Sequence, residues 1–158
     1  MGKYFSFRRI LIYLMLIIGI MQFFRIDKSH EKVQTDLDFL LSTDAPENVS
    51  KIMHEACYDC HSNETKYPWY SDVAPISWWL NNHIHEGREE LNFNYWQSFT
   101  PKRKQRKLNE CLEMIQEREM PLPSYTWIHK EARLNTDQRQ ILINWFKSMG
   151  AREEKDGD

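Results

Sequence analysis

Five consecutive residues, Cys57-Tyr58-Asp59-Cys60-His61, constrain this chain more than any other feature. Two thiols stand three positions apart and an imidazole follows at once. That spacing reads as a c-type haem attachment. The thiols reach two vinyl groups along one porphyrin edge and form thioethers, and the adjacent His turns its ring to the iron. Zinc sites and thiol redox proteins use similar letters. Zinc asks for about four ligands; here Cys111 stands alone, and His83 with His85 is the only further cluster. A thioredoxin-like pair opens a helix after a strand, and no such setting is legible. One haem c, bound covalently through Cys57 and Cys60 with His61 on the iron, is the expected cofactor.

The sixth iron ligand has several candidates. Both a thioether and an imidazole serve there, and the choice shifts the potential. Met120 is favoured because Glu119-Met120-Pro121-Leu122-Pro123 forms a loop between two predicted helices. Tyr125, just beyond, has a hydroxyl able to steady that loop. His83 and His85 are rivals that cannot share a helical face. Arg88, Trp78, Trp79, Asn92 and Trp96 are weaker candidates for the haem surround. Cys111 reads as a buried apolar residue.

Ile10 to Phe24 is almost continuously apolar, follows Lys3, Arg8 and Arg9, and lacks a small-x-small cleavage site. Those features predict an uncleaved signal anchor with a transmembrane helix. The span is short of the roughly 20 residues usual for a bilayer. Local thinning and interfacial Phe residues would have to help it. The expected location is a bacterial inner membrane, single-pass, with the domain facing the periplasm. The expected partners are the lipid bilayer and redox proteins in the membrane or periplasm.

The remaining chain divides into a tether and lead-in at 28–48, whose Leu37, Phe39, Leu40 and Leu41 are placed to pack onto the domain, a haem-binding domain at 49–150 and a charged flexible tail at 151–158, after the anchor at 1–27. Four helices are predicted in the domain. Val49, Ile52, Met53 and Ala56 form a helical stripe leading into Cys57. Ile76 to Glu90 is the second, with Gly87 placed to end or bend it. Thr100 caps the third, with Pro101 at its first position. Asn135 and Gln138 form a capping box on the fourth, and Gly150 stops it. The fold class is therefore all-α: about four short helices around one covalent haem, behind a transmembrane helix.

Charge excludes one class of partner. Four of the 21 basic residues and one of the 23 acidic residues lie in the first 27 positions, leaving 17 basic and 22 acidic residues beyond them. A nucleic-acid binder would be strongly basic. The run Lys102-Arg103-Lys104-Gln105-Arg106-Lys107 reads as a solvated face, with docking toward anionic lipid or an acidic redox partner as the alternative.

Taken together, these residues resemble the bacterial haem-binding domain proteins related to cytochrome c. The resemblance runs from about Leu37 to Gly150. Its marks are Cys57 to Asn63, Thr65 to Tyr70, Pro75 to Trp79, His83, Gly87-Arg88, Leu91-Asn92-Phe93, Trp96, Met120-Pro121 and Tyr125. Asn94 replaces an expected Ser, with no consequence evident from sequence. The resemblance implies a monohaem c-type fold with His61 as proximal and Met120 as distal ligand. The expected role is an electron carrier rather than an enzyme, since no distal acid–base pair is assignable. The alternative is a haem-based sensor with a labile or open sixth position.

Overall fold

Helix-forming patterns dominate from end to end, and the chain obeys them. The computed structural model describes residues 2–153, with side chains from Phe7 onward; the last five residues of the expected tail lie outside the described residues. Eight α-helices are present among the described residues, and no strand. They are α1 (Gly2–Met21), α2 (Phe39–Ser42), α3 (Glu47–Ala56), α4 (Tyr58–His61), α5 (Ile76–Glu90), α6 (Pro101–Gln116), α7 (Pro123–Thr126) and α8 (Thr136–Ser148). Helices α3, α5, α6 and α8 are the four anticipated from periodicity. The other helices of the domain are single turns that only tertiary contact can hold, since so short a helix is unstable alone.

Local capping chemistry sets the ends of the longer helices. Thr100 Oγ1 accepts from the Arg103 amide at 3.3 Å. Asn135 Oδ1 accepts from the Gln138 amide at 2.8 Å, and Gln138 Oε1 accepts from the Asn135 amide at 3.0 Å, completing the capping box. Each bond satisfies an amide that the first turn leaves without a helical partner.

The core is centred on Phe39, which is fully buried. Its ring lies 4.4 Å from Trp96, 5.1 Å from Trp145 and 5.3 Å from Phe93, centroid to centroid. Helix α6 packs on α8 to close one side, and α4 packs on α5 at the other. The lead-in thus supplies the central ring of the core. A smaller cluster of Tyr70, Leu80 and Ile84 packs around Cys60. The first residues of the expected flexible tail are held: Ala151 is buried, its amide bonds the Phe146 carbonyl at 3.0 Å, and the Arg152 amide bonds Asn109 at 2.9 Å.

The N-terminal expectation needs correction. Among the described residues, no helix is long and apolar enough to cross a membrane. Helix α1 stops at Met21 rather than running on to Phe24. Its uninterrupted apolar part, from Ile10, therefore reaches about 18 Å at 1.5 Å per residue, well short of a hydrocarbon core of about 30 Å. The chain turns beyond it because the domain captures it. Gln22 Oε1 accepts from the Ala74 amide and Gln22 Nε2 donates to the Ala74 carbonyl, both at 3.0 Å. Trp78 Nε1 donates to the Phe24 carbonyl at 2.7 Å. The transmembrane helix, the bilayer as partner, the membrane or periplasmic redox partners and the inner-membrane location all rested on that anchor and fall with it.

Truncating the central ring tests this packing. Phe39→Ala is expected to cost about 3–5 kcal/mol of unfolding free energy, read from urea-induced unfolding.

Candidate functional site

The turn that carries the five-residue motif is built by helix α3. Its apolar stripe buries Val49, Ile52, Met53 and Ala56, and the chain breaks at Cys57 before resuming as α4. Both intervening residues are tied down. Tyr58 is buried and its hydroxyl donates to Asp38 at 3.0 Å. Asp59 Oδ1 accepts from the Lys66 amide at 2.9 Å, and its carbonyl accepts from Thr65 Oγ1 at 2.6 Å.

Behind the turn lies a buried polar network with Asn94 at its hub. The Asn94 amide nitrogen donates to Asp38 at 2.9 Å and Glu64 at 3.0 Å, while its oxygen accepts from the Asn63 amide at 2.7 Å. A Ser could not make all three bonds, because a hydroxyl has one proton to give. The position that seemed without consequence therefore ties Asp38 and Glu64 to the backbone just after His61.

Helix α5 reaches the same turn through Gly87. A Cβ at that position would lie 2.8 Å from the Cys60 carbonyl oxygen, so only glycine permits the approach. Gly87 does not end the helix, which continues to Glu90. Four residues on, the Leu91 carbonyl receives His61 Nδ1 at 3.0 Å. A carbonyl can only accept, so Nδ1 carries the proton and Nε2 is left with its lone pair. Burial holds the His61 pKa below its ordinary value, opposed by the Leu91 and Gly87 carbonyls. Burial and the Leu91 carbonyl together favour the neutral ring with its proton on Nδ1.

His61 borders an apolar cavity of about 340 Å³, inside the range of about 300–1,000 Å³ usual for bound small molecules. Cys57 and Met120 line it as well, so the structure gathers three of the four sequence-selected site residues around one space. The fourth, Cys60, is not in that wall; it packs with the Tyr70 cluster. Burial, then the charges of Cys111 and Cys60, push the Cys57 thiol far up. Burial, then Asp59, push Cys60 up to about 11, and burial pushes Cys111 up to about 12. All three are therefore neutral thiols near neutral pH.

Sequence reasoning missed much of the wall. Met53, Met114 and Cys111 bring further sulfur to the cavity, and Phe93 and Phe146 bring aromatic surface. Met53 sits one turn before Cys57 on the recognised stripe, with its sulfur 3.8 Å from the Cys57 thiol; that register was a usable signal. Met114 lies one turn after Cys111 on the stripe of α6. The rivals for the iron are elsewhere. His83 Nδ1 bonds the Trp79 carbonyl at 2.9 Å, and His85 pairs with Glu89 at 3.7 Å. Trp96 is core, and Arg88 donates to the Ser62 carbonyl and Thr65.

The cavity wall also includes Glu90 and Glu110, bridged by Lys107. Lys107 is 2% exposed, so the last residue of the supposed solvated run is buried. Burial opposes its charge, but hydrogen bonds to Glu110 and Glu90 prevail and raise its pKa. The bond from Lys107 in turn lowers the Glu90 pKa.

Among the described residues, no group of three or more His, Cys, Asp and Glu side chains comes together to hold a metal ion. The zinc alternative, which needs about four such donors, therefore finds no set there. An all-α fold with an apolar cavity, thioethers and an imidazole in its wall has room for a small, largely apolar ligand. Residues 16–148 match the haem-binding domain family, and the chain belongs to it. No curated protein and no solved structure matches it.

Two consequences are measurable. Gly87→Ala drives a methyl into the Cys60 carbonyl and is expected to cost about 1–3 kcal/mol, seen as a lower denaturation midpoint. The Lys107 cluster predicts two pH limbs. Glu90, lowered from 4.5, contributes stability above that value and loses it as pH falls through its folded pKa. Lys107, raised from 10.5, contributes fully below that value and loses it as pH rises through its folded pKa. In Lys107→Met, thermal midpoints followed from about pH 3 to about pH 11 should show both limbs flattened.

Proposed function

We propose that this haem-binding domain carries one haem attached covalently through Cys57 and Cys60, with the iron held by His61 and Met120, and that it works as a one-electron carrier. The observation that carries the reading is the state of His61. A ring that lines a cavity and whose Nδ1 is committed to a carbonyl is how a protein prepares an imidazole to ligate a metal. The donor set supports the group: the Cys57 thiol, an imidazole and a thioether stand in one apolar wall, and the Cys60 thiol lies on the adjoining turn, packed against the Tyr70 cluster. When bound, haem supplies a one-electron couple at its iron.

The chain's own residues supply the rest. The Leu91 carbonyl fixes the tautomer and plane of His61. Met53, Phe93 and Phe146 exclude water from the cavity. Met120 as the iron's second protein ligand would favour a higher potential than a second His would. With His61 and Met120 both engaged, a substrate would have no place at the iron, so no catalysed reaction is part of the reading.

The test is spectroscopic. The chain produced with a haem-attachment pathway is expected to retain one haem under denaturing conditions and to lose that retention in the double variant Cys57→Ser/Cys60→Ser. Its oxidised spectrum should be low-spin with a far-red sulfur-to-iron charge-transfer band. Met120→Ala should abolish the band and Met114→Ala should keep it. A high-spin spectrum would displace this reading in favour of the sensor alternative, and the absence of covalent haem would end it.

A further inference from the structure

The loop that carries Met120 is fastened at its back to helices, not to the haem turn. The Met120 amide donates to the Met114 carbonyl at 3.2 Å, and Arg139 Nη1 donates to the Met120 carbonyl at 3.4 Å. Those bonds join the loop to α6 and α8. The turn that bears Cys57, Cys60 and His61 belongs to a different part of the chain. One hydrogen bond spans the two. Tyr125 in α7, five residues beyond Met120, donates its hydroxyl to Asp59 Oδ2 at 2.7 Å. Among the described residues, no other hydrogen bond joins residues 117–128 to residues 57–61.

Both partners are prepared for that bond. Asp59 is held in place by its bonds to Lys66 and Thr65. The Tyr125 ring stacks on His129, with centroids 4.3 Å apart and planes 15° apart. His129 is itself gripped between the Tyr70 hydroxyl at 2.7 Å and Glu131 at 3.0 Å. Burial, then Asp59, push the Tyr125 pKa up, so the phenol keeps the proton it donates.

We infer that Tyr125 is a positioning residue: its bond to Asp59 latches the Met120 loop against the haem-attachment turn and so sets how readily another ligand takes the place of Met120 at the iron. The inference rests on the proposed His61/Met120 ligation. It assigns a role to the second variable residue inside the motif, which the attachment chemistry leaves unspecified.

The full chain, haem-free and haem-loaded, allows two independent readouts. Amide hydrogen exchange in segment 119–126 is expected to rise about tenfold in Tyr125→Phe, the scale of one hydrogen bond to a charged acceptor. Imidazole, added as an external ligand to the loaded chain, is expected to bind the iron about tenfold more tightly in the same variant. Asp59→Asn offers one oxygen where Asp59 uses two, for Lys66 and for Tyr125, and removes the charge, so it should fall between the parent and Tyr125→Phe in both readouts, whereas Asp59→Ala should behave like Tyr125→Phe. Unchanged exchange in Tyr125→Phe overturns the latch whatever ligates the iron, because that readout needs no haem. Raised exchange with unchanged imidazole affinity overturns its effect at the iron. The far-red band in Met120→Ala separately reports whether the ligand assignment underneath has failed.

Discussion

The hydrogen bond from His61 Nδ1 to the Leu91 carbonyl is the joint on which the site depends. It requires α5 to end beside α4, and that requires the two backbones to approach closely at Gly87 and Cys60. The stretch from Gly87 to Leu91 therefore does two things at once. Its first residue lets the helices meet, and its last supplies the acceptor that fixes the imidazole. The Leu91 amide bonds back to the Gly87 carbonyl at 2.9 Å, so the acceptor is itself held by the helix end. A shift of α5 large enough to seat a methyl at Gly87 would also move the group that orients His61.

The two variable residues of the motif extend that constraint in opposite directions. Tyr58 reaches inward to Asp38, and through Asn94 to Asn63 and Glu64. Asp59 reaches outward to Lys66 and Tyr125. The inward arm draws residues 38–40 into the domain and places Phe39 at the centre of the core. The outward arm touches the loop that carries Met120. A one-turn helix with few internal bonds is thereby fixed by side chains far away in sequence, as a short helix must be.

What was legible in the sequence was local. The stripe from Val49 to Ala56, the Thr100 cap and the Asn135–Gln138 box depend on residues within a few positions of each other, and each helix stands where those signals put it. The motif itself was legible for the same reason. What was not legible depends on partners distant in the chain. Gly87 reads as a helix stop until Cys60 is seen against it. Lys107 reads as surface until Glu90, from the preceding helix, is seen to reach it. The apolar run from Ile10 reads as a membrane span until Gln22 and Phe24 are found bonded to Ala74 and Trp78, which turn the chain just beyond the helix end. Hydropathy measures the run and has no knowledge of the capture.

Charge around the cavity bears on the proposed redox role. Two carboxylates in its wall would raise the local negative potential and stabilise an oxidised iron. Lys107 works against this from a buried position, where its charge is less screened than at the surface. At His61 the Lys107 and Glu90 charges act in opposite senses on the imidazole, so each offsets part of the other. The same cluster explains why a lysine can be buried here at all. Its carbon stem lies in the interior while Glu90 keeps a side chain that is 72% exposed. The carboxylate therefore keeps much of its hydration, and mainly the ammonium loses water.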